Sequence, residues 1–291
     1  GVTDKVIKVG NAAATSGAYA AIGLPFNSGI QAYLKKVNDE GGINGREIQF
    51  VHHDDEFDPV KGKSFTEKLI NDDKVFAILG HFGTPTVGAT LELLKETGIP
   101  TVHFATGIAA LYNEDATTVA KGQGLFPIQP IYITEGRLMV ARAIEMHGAK
   151  KIGVIYTNDD AGKSILEGVE NQIAKLGGDY QVVAEQINPG ATDVTSAVLK
   201  LKEEKVDAVV AAAIQATYPT VIKGMIGQGL HVPVYASYVN ADTITISNFA
   251  EDYQQLDDKF PIYLLTWVDR NKSEEVKKFE EAIVAFGKPE Y

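Results

Sequence analysis

The chain has 291 residues, of which 45% are hydrophobic and 22% charged, a balance that is typical of a globular protein with a real core. Its 38 acidic residues exceed its 27 basic ones by 11, and the basic residues are scattered, which argues against a nucleic acid or an anionic membrane surface as partner. It has no cysteine, which excludes disulfides, zinc–thiolate sites, iron–sulfur clusters and thiol catalysis.

The chain carries no sign of a membrane span or of a signal peptide. No apolar run approaches the roughly 18–20 residues that cross a bilayer. The first residues, Gly1-Val2-Thr3-Asp4, lack the charged and apolar regions of a signal. We therefore expect no direct membrane insertion, and either a cytoplasmic protein or an exported one whose signal has been removed.

In the first half, short β-branched runs alternate with amphipathic helical patterns, which indicates βαβ units around a parallel sheet. The predicted strands are Val6–Gly10, Ile48–His52, Val75–Leu79 and Thr101–Phe104. The predicted helices run from Leu24-Pro25 to Gly41-Gly42, from Asp58-Pro59 to Leu69-Ile70, and from Pro85 to Glu96. Pro at a helix start and Gly beyond a helix end set these limits.

The alternation continues in the second half. The predicted strands are Lys151–Tyr156, Gln181–Ala184, Ala208–Ala213 and Val234–Ala236. The predicted helices are Ile131–His147, Gly162–Leu176, Asp193–Glu204, Pro219–Gly227 and Ser273–Phe286, and Asp242 reads as the start of another helix. The pattern predicts an α/β protein built from βαβ units around parallel sheets.

The two halves echo each other, and two similar lobes create a cleft of the kind in which ligands bind. The Gly- and Pro-rich stretch 121–130 is the expected first crossover between the lobes, and 266–269 the second. Lobe I would comprise residues 1–121 and 267–291, and lobe II residues 122–266. The end at Tyr291 offers no obvious closing strand, so we expect the sequence to be incomplete there.

A series of short motifs covers essentially the whole chain in order. They are Ser16–Gly23, Val37–Gly45, Asp54-Asp55 with Asp58-Pro59, Leu79–His81, Gly98–Pro100 and Gly229-Leu230. The most specific of them is Asn-x-x-Gly-Gly-Ile-x-Gly, at Asn38–Gly45. Together they resemble the branched-chain amino-acid binding family, the large type I solute-binding proteins of ABC transporters.

The resemblance implies an α/β fold of two Rossmann-like lobes with parallel central sheets, which form a clamp. The clamp would capture a small carboxylate-bearing ligand, catalyse nothing, and deliver the ligand to an ABC permease. The resemblance also implies an exported monomer, either periplasmic or lipid-anchored outside the cell, without a cofactor. Family members run some tens of residues longer. The sequence leaves two alternatives open: an extracytoplasmic sensor domain with the same clamp, and a cytoplasmic α/β enzyme.

The expected carboxylate site lies in the first lobe, beyond the carboxyl ends of the strands. Phe82-Gly83-Thr84 joins a strand to a helix, where Gly83 permits close approach and the Thr84 hydroxyl and free N–H groups favour an anion. The resemblance implies that this turn holds the ligand carboxylate. The alternative is that Thr84 is only the N-cap before Pro85.

Two other segments of the first lobe are candidate ligand contacts. Ala105-Thr106-Gly107 follows the next strand, and the resemblance implies that it gives a carbonyl and a hydroxyl to the ligand, although Thr106 could instead be a loop cap. Tyr19 could form an aromatic wall of the pocket or pack within the lobe.

In the second lobe, the loop Asn158–Ala161 follows a strand where the resemblance implies a ligand-facing aromatic, and Gln215 and Tyr238 end the next two strands. The family often has an acid near Tyr238 that pairs with the ligand ammonium, and none is found there. Either Asp159 or Asp160 supplies that charge, or the ligand is a carboxylate without an amine, such as a keto or aromatic acid. We favour the second hypothesis, because an unpaired buried ammonium is costly.

Other chemistries find little support. Gly162-Lys163-Ser164 is similar to the end of a phosphate-binding loop, but the leading Gly of that motif is replaced by Thr157, so a solvent-facing helix start is preferred. The run His52–Asp58 is rich in metal ligands, but alternate residues of a strand point to opposite faces, so a strand leading into a capped helix is preferred. Neither a hydrolase elbow nor a dinucleotide-binding motif is present.

Overall fold

The structure, a computed structural model, describes residues 1–111, 124–266 and 273–287 and divides into two units. The first unit contains the described residues of 1–129 and 268–291, and the second those of 130–267. Each unit is built on one sheet of five parallel strands with flanking helices, which confirms the predicted α/β class. Both predicted crossovers, 121–130 and 266–269, fall partly outside the described residues.

The sheet of the first unit has the strand order β2-β1-β3-β4-β5. Its strands are β1 (Val6–Ala13), β2 (Glu47–Asp54), β3 (Ala77–Phe82), β4 (Thr101–Ala105) and β5 (Leu125–Phe126). Its first helices are α1 (Ala20–Asp39), α2 (Pro59–Asn71) and α3 (Thr84–Thr97). As predicted, α2 begins at Pro59 behind Asp58, whose side chain accepts from the N–H groups of Val60 and Lys61.

The sheet of the second unit has the strand order β10-β9-β8-β6-β7. Its strands are β6 (Lys151–Thr157), β7 (Gln181–Ile187), β8 (Ala208–Ala212), β9 (Val234–Ala236) and β10 (Ile262–Leu264). Its helices are α4 (Tyr132–His147), α5 (Asp160–Leu176), α6 (Thr195–Glu203), α7 (Thr217–Gln228) and α8 (Thr243–Gln254). Strand β8 is buried along its whole length, as a central parallel strand with helices on both faces must be.

Two helices of the second unit, α4 and α5, approach each other through a pair of glycines. A Cβ atom on Gly136 would lie 2.1 Å from the carbonyl oxygen of Ile165, and one on Gly168 would lie 2.1 Å from that of Ile133. Only residues without side chains permit this backbone contact. The two glycines therefore allow the first turns of α4 to pack closely against α5.

The last described helix, α9 (Glu274–Phe286), belongs to the first unit and packs on α1. Phe279 and Ile283 lie against Gly29 of α1, and the Lys35 ammonium lies 5.1 Å from the centre of the Phe286 ring. The sequence predicted this helix at Ser273–Phe286, and Ser273 is its N-cap.

The structure differs from the sequence-based prediction at the start of α1. The helix begins at Ala20, four residues before the Leu24-Pro25 pair at which we placed its entry, and Pro25 lies inside it. Pro25 is the sixth residue of the helix and has no N–H to donate to the Ala21 carbonyl, so the helix lacks that one backbone hydrogen bond. Leu24-Pro25 was wrongly read as a helix start, because Pro at the first helical position is the commoner arrangement.

Two strands of the first unit are longer or shifted relative to prediction because they carry buried polar residues. β1 continues past Gly10 through Asn11, whose amide donates to the Asn27 side chain (2.9 Å) and to the Gly80 carbonyl (2.8 Å). β3 ends at Phe82 rather than Leu79 and includes His81, which is fully buried and hydrogen-bonded to Thr90 at 2.9 Å. None of the helices in the described part of the chain is long and apolar enough to cross a membrane.

Candidate functional site

The turn after β3 has a backbone that only glycine adopts comfortably. Gly83 has φ = 91° and is the N-cap of α3, and its N–H donates to the Ala105 carbonyl at 3.2 Å. A Cβ at this position would lie 2.7 Å from the Phe57 ring. The interpretation of Thr84 as the N-cap is therefore wrong, since Gly83 occupies that position and Thr84 is the first residue of the helix.

Thr84 and Thr106 are brought together at the ends of two neighbouring strands, β3 and β4. Their hydroxyl oxygens are 2.8 Å apart, and both residues are buried. The hydrogen bond between them uses one of the two hydroxyl protons, which leaves a second proton to donate. The first turn of α3 adds N–H groups without intrahelical partners and the positive end of the helix dipole. The arrangement is suited to an anion.

Aromatic rings line the same end of the first sheet. Tyr19 stacks on Phe57 with ring centres 3.8 Å apart, and Phe57 meets Phe82 edge-on at 6.3 Å. This stacking agrees with the packing interpretation of Tyr19, and its contact with a ligand stays a prediction. Gly107 follows Thr106 and is also buried, so all of the first-lobe candidates gather around the ends of β3 and β4.

A buried carboxyl group lies behind this turn. Asp55 accepts a hydrogen bond from the Thr86 hydroxyl of α3 at 2.5 Å and one from the Phe57 N–H at 3.0 Å. Burial raises the pKa of Asp55 above its usual range, and the two hydrogen bonds oppose that shift. Sequence analysis missed this role of Asp55, which fixes Phe57 relative to α3.

Asp55→Asn is expected to change the pH dependence of stability by an amount of the order of 1 kcal/mol, the usual size for a buried hydrogen-bonded group. Because the folded pKa of Asp55 is raised, the wild-type carboxyl contributes stability at low pH that is lost as the pH rises through that folded pKa. Wild type should therefore lose stability relative to the variant as the pH rises from about 4, near the carboxyl's unfolded pKa, to above its raised folded pKa. Urea unfolding of both proteins across this range measures the difference.

The control for this experiment is Asp72→Asn, which removes an exposed acid at the end of α2 in the same unit. Its unfolding free energy should follow that of wild type at every pH. Parallel pH profiles for wild type and Asp55→Asn would contradict the assignment of Asp55 as a buried group that titrates with folding.

In the second unit, the loop after β6 uses one of its two acids as a helix cap. Asp159 is the N-cap of α5 and accepts from the Gly162 N–H at 2.8 Å and from the Thr157 hydroxyl at 2.9 Å. Asp160 begins the helix and is exposed, and Ala161 is buried. Of the two candidates for a counter-charge to a ligand ammonium, Asp159 already has partners within its own loop.

Gln215 follows β8 and has the left-handed backbone angle φ = 52°. Its N–H donates to the Asn240 side chain at 2.8 Å, and Asn240 in turn donates to the Ala213 carbonyl at 3.0 Å. Gln215 is only 6% exposed, and its side-chain oxygen has no hydrogen-bond partner within the described ranges. A buried acceptor without a partner is costly unless a ligand satisfies it.

Tyr238 lies in a one-turn 3-10 helix (Tyr238–Asn240) directly after β9, and a residue that sequence analysis missed fixes it there. The Glu135 carboxylate, from the first turn of α4, accepts from the Tyr238 N–H at 3.0 Å and from the Ser237 hydroxyl at 2.6 Å. An acid does therefore lie beside Tyr238, but it comes from a distant part of the sequence. The available signal was an acid on the apolar stripe of a predicted helix, three residues after the buried Tyr132.

The possible metal ligands at His52–Asp58 point to different partners. His52 meets Thr15 at 2.9 Å, His53 meets Asp73 at 2.8 Å, and Asp58 caps α2. Across residues 1–111, 124–266 and 273–287, no three His, Asp or Glu side chains come together as metal ligands would. The run forms the end of β2 and the Asp58-capped start of α2, which confirms the predicted strand leading into a capped helix.

A family model described as "Periplasmic binding protein" matches residues 6–289 of the chain. Among curated relatives, the chain is 24% identical over 250 residues to the Leu/Ile/Val-binding protein homolog 2 of Brucella abortus (strain 2308), covering 84% of this chain and 62% of that protein. The chain thus spans about three fifths of the length of this relative.

Two solved structures have the same fold. The fatty acid ABC transporter substrate-binding protein from Thermomonospora curvata is 25% identical, with a TM-score of 0.80 over 98% of this chain and 70% of that one. The solute-binding protein of an ABC transporter from R. palustris, in complex with benzoate, is 22% identical, with a TM-score of 0.80 over 96% of this chain and 74% of that one.

Proposed function

Because this chain belongs to the periplasmic binding protein family, we propose that it is an exported solute-binding protein that captures a small carboxylate-bearing ligand. It would act in the periplasm or anchored outside the cell, as a monomer that delivers the ligand to an ABC permease. Binding alone, without catalysis, is the activity proposed.

The observation that carries this proposal is the Thr84–Thr106 hydroxyl pair at the start of α3. Two hydroxyls with one hydrogen bond between them retain a donor for a carboxylate oxygen. The helix dipole and the free N–H groups of the first turn supply the favourable field. Gly83, which has no side chain, lets a ligand approach this backbone closely.

We propose further that the ligand is a carboxylate without an amine, such as a 2-keto acid or an aromatic acid. On the second unit, Gln215 offers a neutral acceptor, and Asp159 is already engaged in capping α5. An α-amino acid would require a charged acceptor for its ammonium. The Glu135 carboxylate beside Tyr238 is buried, and both of its oxygens already accept from the turn 237–238, so the exposed Asp160 is the remaining candidate among these acids. Among the similar proteins, the benzoate complex and the fatty acid transporter protein have amine-free ligands in their names, whereas the Leu/Ile/Val-binding homologue has amino acids in its name, so the choice rests on Gln215 and Asp159.

A thermal-shift and calorimetry panel tests both parts of the proposal. It compares leucine, isoleucine and valine with their 2-keto acids, and benzoate with the isosteric but uncharged benzamide. We expect the keto acids or benzoate to stabilise the protein, by about 2.7 kcal/mol at a hundredfold excess over the dissociation constant, and benzamide to give no shift. A shift that grows with ligand concentration distinguishes binding from a solvent effect.

Two outcomes would contradict the proposal at different levels. Stronger stabilisation by the amino acids, lost in Asp160→Asn, would refute the amine-free ligand and identify the missing counter-charge. Equal stabilising shifts for benzoate and benzamide, or no shift with any carboxylate, would refute the carboxylate site itself.

A further inference from the structure

A buried carboxylate joins two segments of the second unit that are far apart in the sequence. Glu135, in the first turn of α4, is 2% exposed, and its partner Ser237 is fully buried. We infer that Glu135 is a positioning residue of the ligand site, which fixes the turn 237–238 after β9 and thereby sets the affinity for the ligand. This inference rests on the proposed function, because Tyr238 is one of its expected ligand contacts.

The two carboxylate oxygens of Glu135 bind two consecutive residues of the turn, Ser237 and Tyr238. One accepts from the Ser237 hydroxyl at 2.6 Å, and the other accepts from the Tyr238 N–H at 3.0 Å. The Ser237 oxygen also accepts from the Val239 N–H at 3.3 Å, so the same hydroxyl caps the 3-10 turn. The carboxylate therefore determines the position of the whole turn that presents Tyr238.

Further contacts join the same two segments. The Tyr238 hydroxyl donates to the Pro130 carbonyl at 3.4 Å, and the Tyr238 and Tyr132 rings stack with centres 6.4 Å apart. Pro130 is the first residue of the second unit, where the chain enters it. Tyr238 is thus held at its backbone by Glu135 and at its hydroxyl by the entry segment, so a shift of that segment would move it.

The chemistry of this contact argues for a role beyond packing. Burial raises the pKa of Glu135 to about 7, and the hydrogen bonds from Ser237 and Tyr238 oppose the shift. No charged side chain in the described part of the chain contributes to this shift. Isolated burial of a carboxylate destabilises a fold, and an apolar residue would fill the same space without that cost. What the carboxylate supplies, and an apolar residue does not, is two acceptors directed at the turn.

Ionisation should therefore affect stability and affinity in opposite directions. The raised folded pKa means that Glu135 contributes stability below its unfolded pKa, and that this contribution is lost as the pH rises through about 7. The ionised group accepts both hydrogen bonds as charge-assisted ones, which are stronger, so the turn is best fixed above pH 7. A residue with a purely structural role would not couple ligand affinity to pH in this way.

The test is calorimetry at pH 6, 7 and 8 with leucine and its keto acid, 4-methyl-2-oxopentanoate, as the two probes. Wild-type affinity should fall severalfold from pH 8 to pH 6. Glu135→Gln, which keeps only neutral hydrogen bonds to the Tyr238 N–H and the Ser237 hydroxyl, should bind at every pH with the affinity that wild type has at pH 6. Glu135→Leu should lose about tenfold or more at pH 8. Glu145→Gln, an exposed acid on the same helix, should behave as wild type.

A measurement without ligand accompanies the titrations. In wild type the Tyr238 amide should resist hydrogen exchange, and in folded Glu135→Leu that protection should be lost. Equal protection in both proteins, or a Glu135→Leu protein that binds a probe as wild type does, would overturn the inference. Failure of wild type to bind either probe, with the amide protected as expected, would instead count against the proposed function and leave the positioning of the turn supported.

Discussion

Gly83→Ala should abolish tight ligand binding and lower the free energy of unfolding by about 2–4 kcal/mol, since strained backbone and a steric clash each cost on the order of 1–3 kcal/mol. The backbone at this position has φ = 91°, which disfavours any side chain. The added Cβ would also lie 2.7 Å from the Phe57 ring, and that ring cannot retreat easily because Tyr19 stacks on its face at 3.8 Å.

The matched control is Gly41→Ala, because Gly41 has a similar backbone angle, φ = 102°, and open space where its Cβ would be. It should show the backbone strain without the clash, and it should leave ligand affinity unchanged. Urea unfolding and calorimetry of the three proteins separate the two contributions. If Gly83→Ala binds the keto acid or benzoate as wild type does, the turn after β3 is not the ligand site.

Thr84→Val should weaken ligand binding by roughly ten- to hundredfold, which corresponds to the loss of a charge-assisted hydrogen bond of about 1.5–3 kcal/mol. Valine has the same shape as threonine but no hydroxyl. In the variant the Thr106 hydroxyl also loses its partner at 2.8 Å. Calorimetry with the best carboxylate of the panel gives the change directly.

Thr97→Val is the control for this substitution, because Thr97 is an exposed residue at the other end of the same helix. Its hydroxyl bonds only to carbonyls of its own helix, those of Leu93 and Leu94, so its loss should not affect the ligand. Equal affinity for Thr84→Val and wild type would show that the hydroxyl pair does not contact the carboxylate.

Local sequence signals were sufficient to predict most of the helices and strands. Asp58-Pro59 marks the start of α2, and Ser273 marks the start of α9, because each supplies the acceptor that the first turn of a helix needs. The short motifs at Asn38–Gly45 and elsewhere were sufficient to suggest the family, and the family match confirms that resemblance.

The sequence could not indicate which polar residues are buried within strands. Asn11 and His81 interrupt apolar runs and read as strand ends, yet each is satisfied by a partner from another element, Asn27 and Thr90 respectively. Such partners are 16 and 9 residues away. A window of one strand does not contain them, so the predicted β1 and β3 were cut short.

The candidate site likewise contains residues that the local sequence identifies and residues that only the folded structure identifies. The turn at Gly83 and Thr84 is a local strand-to-helix feature, and its residues could be named from the sequence. The bond between Glu135 and Ser237 joins residues 102 positions apart, and only the folded sheet brings them together. The acid beside Tyr238 is therefore Glu135, which the residues neighbouring Tyr238 in the sequence could not indicate.

The packing of α9 on α1 bears on the order in which the units can fold during synthesis. The second unit is one continuous stretch of chain, whereas the first needs a helix that is made after the second unit is complete. Contacts between residues so distant in the sequence form late, because a long loop must close first. The second unit is therefore able to finish folding on the ribosome while α1 still exposes the apolar surface that Phe279 and Ile283 later cover.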